Sequence, residues 1–411
     1  MDLDRIRNQG RPSFTQMFAA RSGHLLNYVK STVGQEEGCT YATFRGLVAS
    51  LESRLPKSES VRDTFLPSQQ MNFARFKRDV HSGLSEKVDA MIAWTNIRSF
   101  LKGSIEALLE PEHVLSRDSF LSLGKKRCRL DPESREAAYS LFLRYKKILD
   151  VQGLWDSCDR IAALLMRIKA AQESGHESSS SILRSKIYVD EVQDSTQAEI
   201  LLFFQLSGPG QLFLAGAPAQ SVVEGGYYVA GPDHRDLIRV PPKPKTATVN
   251  FRSHSGVLDT AAAVLQRLFA AFPDSAKQLA PDRGLFTGPR PGILQNVLPA
   301  RLKQLVTEHL HGVVILTHDS SVWHWKRKLG DYPLVYGIRA AKGLEIEFKR
   351  VIVLDFFAEI PREHQKSWRD LLLGREIHKN LLLGMLLSVG SRQLASSRLL
   401  WPLAKLWTTS R

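Results

Sequence analysis

Residues 185–195 read SKIYVDEVQDS, and the reading of the whole chain turns on them. Residues 186–190 are an apolar run rich in β-branched and aromatic side chains that ends at two adjacent carboxylates, Asp190 and Glu191. That pattern predicts a buried parallel strand delivering acids to its carboxyl end. In open α/β sheets, ligands bind at that end. One carboxylate beside the last hydrophobic residue can hold Mg²⁺ through water, while its neighbour orients or deprotonates an attacking water. An isolated Asp-Glu pair also occurs as a plain strand cap, so the surrounding string Asp190-Glu-Val-Gln-Asp194 carries the weight.

Downstream, residues 196–206 show a helical pattern with Ile200, Leu201, Phe203 and Phe204 supplying apolar surface, stopped by Gly208-Pro-Gly210. Residues 211–217, QLFLAGA, read as a second strand, which makes a βαβ unit of a parallel sheet. Upstream, the Ser-rich break AQESGHESSSS at 171–181 separates the strand from a helical region over 40–168. Within that region Trp94 and Trp155 sit in helical patterns and read as core. The basic tract 124–129, GKKRCR, is either a solvated loop or a phosphate contact. Residues 1–39 carry scattered charges, with a short helical pattern over 14–29, and are expected to be poorly ordered. The run 225–244, rich in Gly, Tyr and Pro, reads as a connector. Beyond it the alternation resumes. Strands are expected over 246–251, 312–317, 333–338 and 350–356, and helices over 255–272, 300–310 and 320–329. There is no internal repeat at a period of about 20 to 50 residues.

At 411 residues the chain is long enough for two or three domains, each with its own core. Lys plus Arg number 56 against 42 Asp plus Glu, a formal net charge of +14 that favours a polyanionic partner. The three cysteines, Cys39, Cys128 and Cys158, are widely spaced and form no Cys-x-x-Cys or Cys/His cluster, so neither a disulfide framework nor a zinc site is indicated. A reducing, intracellular setting follows, nuclear or cytoplasmic. The longest apolar run, 381–389, is too short to span a bilayer, so no membrane partner is expected.

Three further strings keep company with Asp190. GAPAQS at 216–221 follows the second strand and places Gln220 at the same carboxyl edge, where an amide can bond a phosphate or the attacking water. NFRS at 250–253 sets the Arg252 guanidinium at the end of a strand in the second lobe. AKGLE at 341–345 is a loop whose Glu345 can accept from a ribose hydroxyl. Singly, each has an ordinary alternative: Gln220 a turn residue, Arg252 a surface ion pair, 342–345 a hairpin.

Taken together and in this order, the strings resemble the motifs of UvrD/Rep-like superfamily 1 helicases, in the divergent form seen in large tetratricopeptide- and ankyrin-repeat members. DEVQD matches that family's DExQD Walker B element, and the other three match its third, fourth and fifth motifs. Lys102-Gly-Ser104 and the 123–127 loop are similar to the helical insertion of the divergent members. The resemblance implies an α/β fold of two RecA-like P-loop NTPase-type lobes with a large all-helical insertion. It implies Asp190 as the Mg²⁺ ligand, Glu191 and Gln220 as catalytic groups, and Arg252 and Glu345 as ATP contacts. The partner it implies is single-stranded nucleic acid, DNA above all. The corresponding domains are a poorly ordered 1–39, a helical insertion over 40–180, a partial first lobe over 181–235 and a second lobe over 236–411. The chain lacks G-x-x-x-x-G-K-[ST], carries Ala217 where the third motif has Asp, and has LLLGMLLSVGSR at 381–392 in place of an arginine-bearing sixth motif. The expectation is thus a truncated or degenerate helicase-family protein with impaired ATP hydrolysis, or else a non-catalytic nucleic-acid-binding or scaffolding descendant.

Overall fold

Five residues near the amino terminus, QMFAA, form a strand that is buried on both faces. It pairs in parallel with Cys39–Thr43 on one side and with Lys186–Val189 on the other. In the computed structural model the described residues are 14–34, 37–58, 61–81, 88–124, 128, 130–207, 210–216, 247–251, 253–271, 281–292, 297–308, 312–337, 341, 350–354 and 362–375. The chain divides into two units, whose described residues lie before 217 and after 246.

In the first unit, strands β1 (Gln16–Ala20), β2 (Cys39–Thr43), β3 (Lys186–Val189) and β4 (Leu212–Leu214) form one parallel sheet in the order β2-β1-β3-β4. Helix α1 (Gly23–Val33) connects β1 to β2 and starts at Ser22, whose hydroxyl accepts the Leu25 N–H. Helix α2 (Phe44–Arg54) starts at Thr43 in the same way, with Oγ1 accepting the Gly46 N–H at 3.1 Å. Short helices α3 (Phe73–Asp79), α4 (Ala90–Asn96), α5 (Ile105–Leu109) and α6 (Arg117–Leu121) follow, with a π-helical turn at Ile97–Leu101 continuing α4. The long α7 (Pro132–Gln152) has Pro132 in its first turn, and it ends where Gly153 enters the left-handed region at φ 60°. Helices α8 (Ser157–Glu173) and α9 (Glu177–Ser181) lead back to the sheet, and α10 (Gln197–Gln205) joins β3 to β4. Met17, Leu47, Leu51, Ile168, Ile187, Leu202 and Phe203 share one buried core contributed by sheet and helices alike.

The described residues contradict the expected division of the first half. Residues 16–33 are a strand and a capped helix rather than a poorly ordered leader. Residues 39–43 are a sheet strand rather than the start of a helical insertion. Helices α2, α8 and α10 pack on the sheet, and the described helices between α2 and α8 belong to the same unit. The physical reason is the double burial of β1: QMFAA shows no alternation because both of its faces are covered, so periodicity blends it into the following helix. Trp155 is core, as expected, its Nε1 donating to Leu66 O at 2.9 Å, and Trp94 packs on Phe76 at 5.2 Å.

In the second unit, β5 (Val249–Asn250) pairs in parallel with β6 (Arg283–Gly284), and β7 (Val313–Thr317) is the middle strand between β8 (Val335–Gly337) and β9 (Arg350–Val353). All five residues of β7 are buried. Helices α11 (Ser255–Ala271), α12 (Pro299–Thr307), α13 (Val322–Lys328) and α14 (Arg362–Leu372) complete the described part, with Leu302, Val306, Ile315, Trp325 and Leu329 in one core. The chain is a mixed helix–strand protein with parallel sheets.

Candidate functional site

Strand β3 delivers Asp190 to the carboxyl edge of the first sheet. Its backbone N–H donates to Ala19 O at 3.2 Å, which continues the ladder with β1 by one residue. The Asp190 carboxylate accepts the Glu191 N–H at 2.8 Å. Glu191 itself occupies the left-handed region at φ 58°, ψ 39°, a conformation uncommon for a residue with a Cβ. The turn is held by Val192 N–H donating to Ala215 O at 3.0 Å.

The string then turns inward. Asp194, Ser195, Thr196, Gln197 and Glu199 are all buried. Thr196 caps α10 in a reciprocal box: its Oγ1 accepts the Glu199 N–H at 3.2 Å, and Glu199 Oε2 accepts the Thr196 N–H at 2.8 Å. The same carboxylate accepts Nη2 of Arg21 at 2.5 Å and Nη2 of Arg98 at 3.3 Å. Arg21 follows β1 and stacks over the Phe44 ring at 4.9 Å, while Arg98 lies in the π turn. Burial pushes the Glu199 carboxyl up, but Arg21 and then Arg98 outweigh it and hold the group below the usual range. Two further bonds bind the string to the helical layer, from Ala198 N–H to Gly103 O at 3.0 Å and from Ile105 N–H to Gln197 Oε1 at 3.1 Å.

What this arrangement can do chemically is join sheet to helices. Among the described residues no group of three or more His, Cys, Asp or Glu side chains stands together as a metal would require. Of the expected site residues, Asp190 and Glu191 are placed here, while Gln220, Arg252 and Glu345 lie outside the described residues.

Close packing at the joint has a direct consequence. A Cβ on Gly103 would stand 2.0 Å from Arg98 O and 3.1 Å from the Thr196 side chain. Gly103→Ala is therefore expected to destabilise the first unit by about 1–3 kcal/mol, measured as a lower urea midpoint.

A second locus lies on α13. Val322, Trp325 and Leu329 face the core of that unit, whereas Trp323 is 67% exposed. The Arg327 guanidinium lies over the Trp323 ring at 4.5 Å, and Lys328 Nζ over Trp325 at 5.1 Å. Lys326, Arg327 and Lys328 have no carboxylate within 4.0 Å among the described residues.

Sequence reasoning singled out none of Arg21, Arg98, Glu199, Trp323 and Arg327. Two signals were present in it. Thr196-x-x-Glu199 is a capping-box string, and Trp323 with Arg327 has the i, i+4 spacing that puts two side chains on one helix face.

No family model matches the chain. The chain is similar to the Homo sapiens TPR and ankyrin repeat-containing protein 1, with which it is 32% identical over 333 residues; the match covers 74% of this chain and 11% of that protein. These findings correct the expectation of a UvrD/Rep-like helicase. The relative is named for its repeats and not for helicase activity, and the helicase, ATP-binding and hydrolase properties inferred from the motif strings are withdrawn with it.

Proposed function

We propose that this chain binds single-stranded nucleic acid through the aromatic and basic face of α13. The observation that carries this reading is the exposed Trp323 ring with the Arg327 guanidinium 4.5 Å above it. A planar cation stacked on an indole is a sequence-tolerant platform for a base, and every nucleobase has a π-face to offer. Lys326 and Lys328 lie within one turn and supply ammonium groups to the adjoining phosphates. The formal charge of +14 supports the same partner by raising the local concentration of a polyanion around the protein. The apolar side of α13 is spent on its own core, which leaves no apolar face to insert into a lipid surface.

Fluorescence anisotropy with a labelled mixed-sequence oligonucleotide tests this. Binding is expected to weaken as salt rises, log K falling with log [salt] at a slope of about −2 for three phosphate contacts. Absence of binding at low salt, or a slope near zero, would contradict the reading.

A further inference from the structure

Between α2 and the edge strand β2 lies a cavity of about 430 Å³. Its body is apolar, lined by Met17, Leu26, Leu47, Leu51 and Ile182, and it is also lined by two cations, Arg54 at the end of α2 and Arg184 just before β3. Both guanidiniums reach the same acceptor: Arg54 Nη2 donates to Ser181 O at 2.8 Å and Arg184 Nη1 to that oxygen at 3.1 Å. Neither has a carboxylate within 4.0 Å among the described residues. Glu52, on the same helix as Arg54, is held instead by Arg160 at 2.6 Å. Arg184 Nε is buried with no hydrogen-bond partner. Burial pushes the Arg184 guanidinium below its ordinary range and the charge of Arg54 adds to the effect.

Two cations converging on one carbonyl, at the side of an apolar cavity, form a site that an anion would stabilise. We propose that this cavity binds a monocarboxylate bearing an aliphatic tail, with the head on Arg54 and Arg184 and the tail against Leu47 and Leu51. The planar two-oxygen head matches a guanidinium fork, and the charge-assisted bonds it forms are the strong kind. The volume lies within the span of about 300–1,000 Å³ typical of small-molecule sites. The apolar lining selects against inorganic anions, which would leave it unfilled. The site is in the first unit and is independent of the nucleic-acid reading of α13.

Calorimetric titration of the full chain with decanoate, with acetate and decanol as the tail-less and head-less probes, tests the assignment. Decanoate is expected to bind at one site and to raise the thermal midpoint, with acetate and decanol at least about tenfold weaker. Arg54→Gln, at an exposed position, is expected to fold and to weaken decanoate at least about tenfold, because a charge-assisted bond is lost. Its ligand-free midpoint should be unchanged or higher, since a like-charge contact is relieved. Arg184→Gln should weaken decanoate by a similar factor. Equal binding of acetate would reduce the site to an adventitious ion only, and equal binding of decanol to an apolar patch. Either result, no decanoate binding at all, or decanoate binding unaltered in both variants would overturn the proposal.

Discussion

Glu199→Ala is expected to destabilise the first unit by about 2–4 kcal/mol, because it leaves two partly buried guanidiniums without their carboxylate and removes one half of the α10 capping box. The Glu199 side chain is 4% exposed, so little solvent screening offsets the loss. Urea unfolding followed by far-UV circular dichroism measures it, and a shift under about 1 kcal/mol would show that water replaces the carboxylate. Glu199→Gln keeps the acceptor for Thr196 N–H and removes only the charge, so it should fall between the two. The pH dependence has a definite sign. The folded pKa of Glu199 lies below its unfolded value of about 4.3. Its contribution is therefore fully present above pH 5 or so and is lost as pH falls through the folded value. The wild-type protein should lose stability across that acid window, and Glu199→Gln should lose less of it.

Lys102→Ala is expected to cost a similar amount, about 3–5 kcal/mol, for a related reason. Lys102 is buried in the helical layer, with Nζ 2.6 Å from Asp156 and 2.5 Å from Asp159. Tyr145 donates its hydroxyl to the same Asp156 oxygen at 2.5 Å. Burial pushes the Lys102 ammonium down, but Asp156 and Asp159 outweigh it and hold it well above its usual range. Burial and then the Asp156 charge push the Cys158 thiol well up, so that buried cysteine is an inert neighbour of the network. A double-mutant cycle of Lys102→Ala with Asp156→Asn reads the coupling. Additive costs would mean that the two groups act independently, against the geometry. Lys102→Met should be milder than Lys102→Ala, since it keeps the stem that packs near Tyr145, whose ring lies 5.7 Å from Nζ.

How much of this was legible in the sequence differs between elements. The 186–190 run emerges as β3 at Lys186–Val189, and the 196–206 pattern as α10 at Gln197–Gln205 with β4 parallel to β3. In the second unit β7, β8 and β9 emerge where expected, because they are short apolar runs bounded by turn residues, while β6 (within the expected loop over 273–291) and α14 had no expected counterpart. Strand β1 was missed because a five-residue run buried on both faces has no alternation to show. Ser22, which separates it from α1, was the one local sign of the boundary. The site was harder to read than the fold. Glu199, five residues beyond DEVQD, is held by Arg21 and Arg98, which lie 178 and 101 positions away from it. Local sequence carries no signal for such long-range pairing. The resemblance to helicases was drawn from these short strings, and the comparisons with known proteins overturn it.

On the proposed function, single-stranded nucleic acid binds at α13 and not at the acidic edge of the first sheet. Parallel anisotropy titrations of the Trp323→Ala and Glu191→Gln variants against one single-stranded oligonucleotide test it most directly. Loss of a stacking platform is worth about 1–3 kcal/mol per base. Trp323→Ala should therefore weaken binding by roughly fivefold to more than a hundredfold, while Glu191→Gln leaves it within about twofold. Binding that survives Trp323→Ala unchanged, or that responds to Glu191→Gln instead, would contradict the account.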